Sequence, residues 1–127
     1  MEMRKIVVCD DDPQTLDALA ELLSNAGYAV STAASHTEML DKFDTAHPDL
    51  LILDVRLPEH DGMWIAESLL SHGRNIPIIF HTGCDAPSYR LYAPFVGASA
   101  YLTKPCDSAV LLEKIEEALR PLSAAVG

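Results

Sequence analysis

Short apolar runs recur along this chain with room for one helix between each pair, and that rhythm constrains the fold more than any other feature. Ile6 to Cys9, Leu50 to Leu53, Ile76 to Phe80 and the weaker Ala100 to Leu102 are apolar stretches of strand length. Tyr28 to Thr32 alternates bulky and small residues, as a half-exposed edge strand does. Unbroken apolar runs suit strands covered on both faces, the condition of a parallel sheet. The segments between them have helical spacing. Asp12 is placed to cap a helix with Pro13 at its first position; Leu16, Leu19, Ala20, Leu23 and Ala26 then share a face, and Gly27 stops it. Ser35 and Glu38 have capping-box spacing ahead of Met39, Leu40 and Phe43. A third helix is predicted from about Asp61, with Ile65, Ala66, Leu69 and Leu70 inward and Gly73 closing it. The last begins near Asp107 and aligns Leu111, Ile115, Ala118 and Leu119. From Asp85 to Val96, Pro87 and Pro94 predict a short or kinked helix, because an interior proline removes a backbone hydrogen bond.

Strand then helix, five times over, predicts right-handed crossovers and an α/β doubly wound sheet with helices on both faces. With the two less apolar runs as edges, the five parallel strands take the order 2-1-3-4-5, a flavodoxin-like three-layer sandwich whose switch point lies between strands one and three. A chain of 127 residues has room for one core. Residues 1–121 are read as that domain and 122–127 as a short flexible tail. The net charge of −10 argues against nucleic acid or an anionic membrane as a direct partner, since both need a basic footprint. Cys9, Cys84 and Cys106 lack metal or redox spacing and read as reduced packing thiols. With no leader-like segment or apolar run long enough to span a bilayer, the expected location is cytoplasmic. His36, His47, His60, His72 and His81 have no metal-ligand spacing, and Trp64 reads as a packing residue.

The fold would gather the residues just beyond each strand: Asp10, Asp11 and Asp12 after the first, Asp54 after the third, Thr82 after the fourth and Lys104 after the fifth. Carboxylates facing one another across the switch point require a cation or a proton. Magnesium, which takes a few carboxylate oxygens and retains waters, meets that demand. A carboxylate beside it can act as nucleophile toward a phosphoryl group, with Lys104 and the metal balancing charge and Thr82 donating a hydrogen bond.

Four motifs, VVCDDDP at 7–13, LLILDVRLPEHDG at 50–62, IIFHTG at 78–83 and GASAYLTKP at 97–105, closely resemble the receiver domain of two-component response regulators, CheY-like in fold. The resemblance implies phosphorylation of Asp54, with Asp10, Asp11, Asp54 and the backbone carbonyl of Arg56 holding Mg2+, Asp11 the more direct ligand of the acidic pair. It implies that Lys104 contacts the phosphoryl group, that Thr82 is the switch hydroxyl, and that Tyr101 swings inward when Thr82 moves. A cis Lys104-Pro105 bond is also implied. By the same resemblance the phosphate comes from a histidine kinase or a histidine phosphotransfer protein. The chain is then a signalling receiver that catalyses its own aspartyl phosphorylation and dephosphorylation, and it switches a protein-interaction surface on the fourth helix, fifth strand and fifth helix. A homodimer is left open, and Pro94 falls on the surface concerned. Arg56 puts a long cation beside the acceptor, where it is expected to screen attacking water.

Two other readings compete. An aspartate-nucleophile phosphohydrolase would use the DxD spacing of Asp10 and Asp12, but Gln14 stands where threonine or valine is wanted and no cap domain fits. The other is a binding module: a flavodoxin type would want a hydroxyl- and glycine-rich phosphate loop, of which CDDDPQT is the electrostatic opposite, and a receiver that works by contact alone after losing phosphorylation would lack an acidic or basic member, whereas all are present. Asp12 is expected to serve as helix cap rather than metal ligand.

Overall fold

The computed structural model describes residues 3–120, so the tail expected at 122–127 lies outside the described residues. In chain order the elements are β1 (Lys5–Cys9), α1 (Pro13–Asn25), β2 (Ala29–Ala33), α2 (His36–Ala46), β3 (Leu50–Leu53), α3 (Gly62–Ser71), β4 (Ile78–Thr82), α4 (Pro87–Tyr92), a 3-10 turn (Ala93–Val96), β5 (Ala98–Thr103) and α5 (Ser108–Leu119). All strand pairings are parallel, in the expected order β2-β1-β3-β4-β5.

The local devices read from the sequence operate with some shifts. The Asp12 side chain accepts the Gln14 amide and caps α1, with Pro13 at its start. Ser35 accepts the Glu38 amide, while the Glu38 carboxylate reaches back to the amide of Ala34, one residue earlier than a standard capping box. Strand β4 starts at Ile78 rather than Ile76 and runs through Thr82, so Thr82 is the last residue of the strand rather than the first beyond it. Two side chains expected inside are outside: Leu70 is 44% exposed and Trp64 48%, while Met63 is buried.

The sheet is covered on both faces. Val7, Leu51, Leu53, Phe80, Met39 and Ile65 pack in one layer with α2, α3 and α4. Ile6, Val8, Leu50, Ile52, Ile79, Leu23, Leu111 and Ile115 form the other with α1 and α5. Alternate residues of the same strands serve opposite layers, which is why the strands read as unbroken apolar runs. Register then places the chemistry. Cys9 pairs with Leu53, so Asp10 and Asp54 leave neighbouring strands side by side. Thr82 pairs with Thr103, so Lys104 emerges one step beyond.

Candidate functional site

The sheet's hydrogen-bond ladder continues past the strand ends and fixes the site's backbone. The amide of Asp10 donates to the carbonyl of Ala33 at 3.0 Å, that of Asp54 to Cys9 at 3.0 Å, and that of Lys104 to Thr82 at 2.8 Å. Lys104 is followed by a cis peptide bond to Pro105, as expected.

On this frame the Lys104 ammonium donates to Asp10 Oδ2 at 2.7 Å and to Asp54 Oδ2 at 2.9 Å, joining three strand ends through one nitrogen. The two carboxylates are buried, and Lys104 keeps about a quarter of its side chain in water. Their remaining oxygens accept local amides: Asp10 Oδ1 from Asp12 at 2.9 Å, and Asp54 Oδ1 from Arg56 at 3.0 Å. Buried carboxylates held by an ammonium and backbone amides have most of their desolvation cost offset.

The two acids are held differently. Burial pushes the Asp10 carboxyl above its ordinary range, against the pull of Lys104. At Asp54 burial acts the same way, but the nearby Thr82 hydroxyl, the Arg56 amide and Lys104 together hold the carboxyl below its usual range. Asp54 is therefore anionic at neutral pH, the form a nucleophile needs. The negative field extends further. Burial, then the charges of Asp10 and Asp54, push the Cys9 thiol up to about 12.

Asp11 is exposed at the rim, and its carboxylate oxygen lies within 4.8 Å of oxygens from Asp10 and Asp54. Three carboxylates at that separation, with one lysine between two of them, fit a hard divalent cation: the donors are oxygens, and two negative charges remain after Lys104 is counted. Asp12 stands apart from this group, its carboxylate taken up by the Gln14 amide and the Thr15 hydroxyl at 2.8 Å. The DxD pair needed by a phosphohydrolase is thereby divided between two jobs.

Thr82 is fully buried beside Asp54, and its hydroxyl oxygen accepts the Cys84 amide at 3.2 Å. Tyr101 lies half-buried across the β4–α4 loop. Its hydroxyl donates to the carbonyl of Cys84 at 2.6 Å, its ring packs 5.8 Å from Phe80, and the Arg90 guanidinium sits 5.1 Å over its face. Burial, with the hydrogen bond and charge of Cys84, pushes the phenol up to about 12. The hydroxyl of Thr82 and that of Tyr101 are thus linked through one residue, Cys84. Its sulfur also accepts from Arg56 Nη2 at 3.7 Å, so Arg56 spans from the β3–α3 loop to the β4–α4 loop.

Sequence reasoning missed Gly62. A Cβ there would lie 2.5 Å from the carbonyl oxygen of Asp54 and 2.7 Å from Val55 Cα, and its amide donates to Val55 at 2.6 Å. The start of α3 is pressed against the backbone of Asp54 and Val55, and only glycine fits. The sole advance signal was a glycine directly after the helix-capping Asp61. His81, to which the sequence assigns no role, is buried near the end of β4, and its Nδ1 has no hydrogen-bond partner among the described residues.

Five parallel strands in this order, with carboxylates and a lysine gathered at their carboxyl ends, define a CheY-like receiver. The response regulator receiver domain family matches residues 6–116, and the chain belongs to it. It is 37% identical over 116 residues to the response regulator MprA of Mycobacterium avium, covering 91% of this chain and 51% of that protein. The chain thus spans about half the length of the curated relatives it matches. Among solved structures, the CheY-like receiver domain protein of Methanospirillum hungatei superposes with a TM-score of 0.87 at 31% identity, covering 93% of this chain and 94% of that one. The beryllofluoride-activated DrrB receiver domain superposes at 0.83 and 29% identity, covering 93% and 98%. The chain is therefore a signalling receiver of a two-component system. Among the described residues no helix is long and apolar enough to cross a membrane.

Proposed function

We propose that Asp54 accepts a phosphoryl group from the phosphohistidine of a histidine kinase or phosphotransfer protein in the cytoplasm, and that this chain's own residues catalyse the transfer and the later hydrolysis. The observation that carries the reading is the single Lys104 ammonium shared by Asp10 and Asp54 at 2.7 and 2.9 Å. A carboxylate oxygen of Asp54 forms the new bond to phosphorus as the donor's nitrogen–phosphorus bond breaks, and the electron pair returns to the imidazole, which takes up a proton from solvent. Lys104 then pairs with the phosphoryl oxygens, an exchange of one anion for another that leaves its charge satisfied. Asp10, Asp11, Asp54 and the carbonyl of Arg56 would hold magnesium, which when bound supplies positive charge to the transferring group. Thr82 donates its hydroxyl to a phosphoryl oxygen. That movement draws on Cys84 and so on Tyr101, carrying the change toward α4, β5 and α5. Residues 1–121 act as one receiver domain in this reading.

Incubation with acetyl phosphate, or with beryllofluoride, and magnesium is expected to modify or occupy wild-type protein at one site, read by intact mass or by 19F NMR. Asp54→Asn is expected to abolish both. Modification that survives Asp54→Asn, or none in the wild type, overturns the proposal. Arg56 is proposed to screen the acyl phosphate from water, so Arg56→Ala should lose phosphate faster than wild type after donor removal; equal rates refute that role.

A further inference from the structure

Away from the strand ends, a cavity of about 320 Å3 opens between α2 and α3, at the small end of the range that holds small molecules. Its walls carry Trp64, His36, His72, Arg74 and Ser68, over a floor that includes Leu40 and Leu69. Among the described residues no carboxylate lines it, in a chain with 19 acidic and 9 basic residues.

The aromatic wall is held in place before any ligand arrives. Trp64 stacks on His60 at 4.1 Å and 23°, and His36 stands edge-on to both, at 5.7 Å from Trp64 and 5.0 Å from His60. His60 belongs to the β3–α3 loop, which Glu59 also fastens to α2 by accepting from the amide and hydroxyl of Thr37 at 3.2 and 2.9 Å. Trp64 nevertheless stays 48% exposed. Its position is fixed by neighbours that contribute nothing to the sheet core.

The charged wall has a donor to spare. Arg74 lies 5.2 Å over the Phe43 ring, and its Nη1 is 2.9 Å from Asp44. That contact is an ion pair without hydrogen-bond alignment, for Nη1 is buried and makes no hydrogen bond. A guanidinium offers five N–H donors; Nη1 faces Asp44, while among the described residues no other Arg74 side-chain N–H makes a hydrogen bond, and the side chain is 36% exposed. An aligned indole, an under-used guanidinium and an imidazole on each flank fit a flat apolar body that ends in one negative charge.

We infer that the α2–α3 cavity is a binding site for a small aromatic anion, its ring against Trp64 and its carboxylate or phosphate on Arg74. The probe is 1-naphthoate, with neutral 1-naphthol as the matched control, and Trp64 is the only tryptophan in the chain. Titration is expected to give a saturable change in tryptophan fluorescence, with NMR amide shifts confined to α2, α3 and residues 72–74. Arg74→Gln should weaken naphthoate by about tenfold, the loss of one charge-assisted hydrogen bond, and leave naphthol unchanged. If Arg74→Gln unfolds, Arg74→Lys, which keeps the charge but not the planar fork, should still weaken naphthoate more than naphthol. No saturable binding, equal affinity for acid and alcohol, or shifts centred elsewhere overturns the inference.

Discussion

At the strand ends Asp10 and Asp54 are each held twice, whereas along α4 and the turn after it the large side chains Leu91, Tyr92 and Phe95 stand largely in water. Asp10 and Asp54 each meet Lys104 on one oxygen and a local amide on the other. Helix α4 has six residues and no side-chain cap, and Pro94 diverts the chain into a 3-10 turn. Leu91 and Phe95 consequently stand 75% and 78% exposed. The first region is over-determined by the sheet; the second is attached to the sheet and only loosely determined by it. A receiver needs both, since chemistry requires fixed distances and a surface that responds must be able to repack.

The contrast breaks most readily at Lys104. Removing one partner from a buried charge cluster leaves like charges facing each other, at a cost of about 3–5 kcal/mol. Since the lysine keeps 26% of its side chain exposed, the lower end of that range, about 3 kcal/mol, is expected for Lys104→Ala in metal-free urea unfolding. Magnesium should restore part of the loss, because an ion that binds only the folded state stabilises it by mass action. A loss below about 1 kcal/mol would mean that the two carboxylates share a proton instead, and that the lysine is not what holds them.

Gly62→Ala attacks the same frame from behind. The new methyl group would meet backbone on two sides, Asp54 oxygen at 2.5 Å and Val55 Cα at 2.7 Å, and backbone yields less readily than a side-chain tip. A destabilisation of about 1–3 kcal/mol is expected from overpacking, together with slower phosphorylation by acetyl phosphate. Unchanged phosphorylation would show that the β3–α3 loop shifts without moving the Asp54 carboxylate.

The two regions also differ in how far the sequence announced them. Strand order, the caps at Asp12 and Ser35 and the broken fourth helix were legible because each depends on residues close in sequence, or on the count of unbroken apolar runs. The gathering of Asp10, Asp54 and Lys104 followed from strand order alone. Contacts between loops were not legible. The Arg56 to Cys84 contact, the fit of Gly62 against Asp54 and the link from Tyr101 to Cys84 all depend on where loops lie after the strands are paired. The misjudged Leu70 and Trp64 show the same limit on a helix. Periodicity gives the direction a side chain takes, but not how far the neighbouring element extends to cover it. The turn after α4 leaves Leu70 near Gly97 with much of its surface in water, and Trp64 opens onto the α2–α3 cavity.

The smallest expected effect sharpens the comparison most. Phe95→Ser removes a large apolar surface group that touches Tyr92 at 6.3 Å between ring centroids and otherwise faces water. Exposed substitutions of this kind usually change stability by no more than about 0.5 kcal/mol, and the phosphorylation rate should match wild type, because a side chain 78% exposed carries little of the packing that holds Asp54. If the rate changes more than the stability does, the coupling runs through α4 to Arg90, whose guanidinium rests on Tyr101 and donates to Asp85 at 2.7 Å. Arg90 thereby touches both the aromatic of β5 and the loop beyond Thr82. A stability-neutral Phe95→Ser with an altered rate would therefore place it, rather than the apolar strip, between Asp54 and the surface.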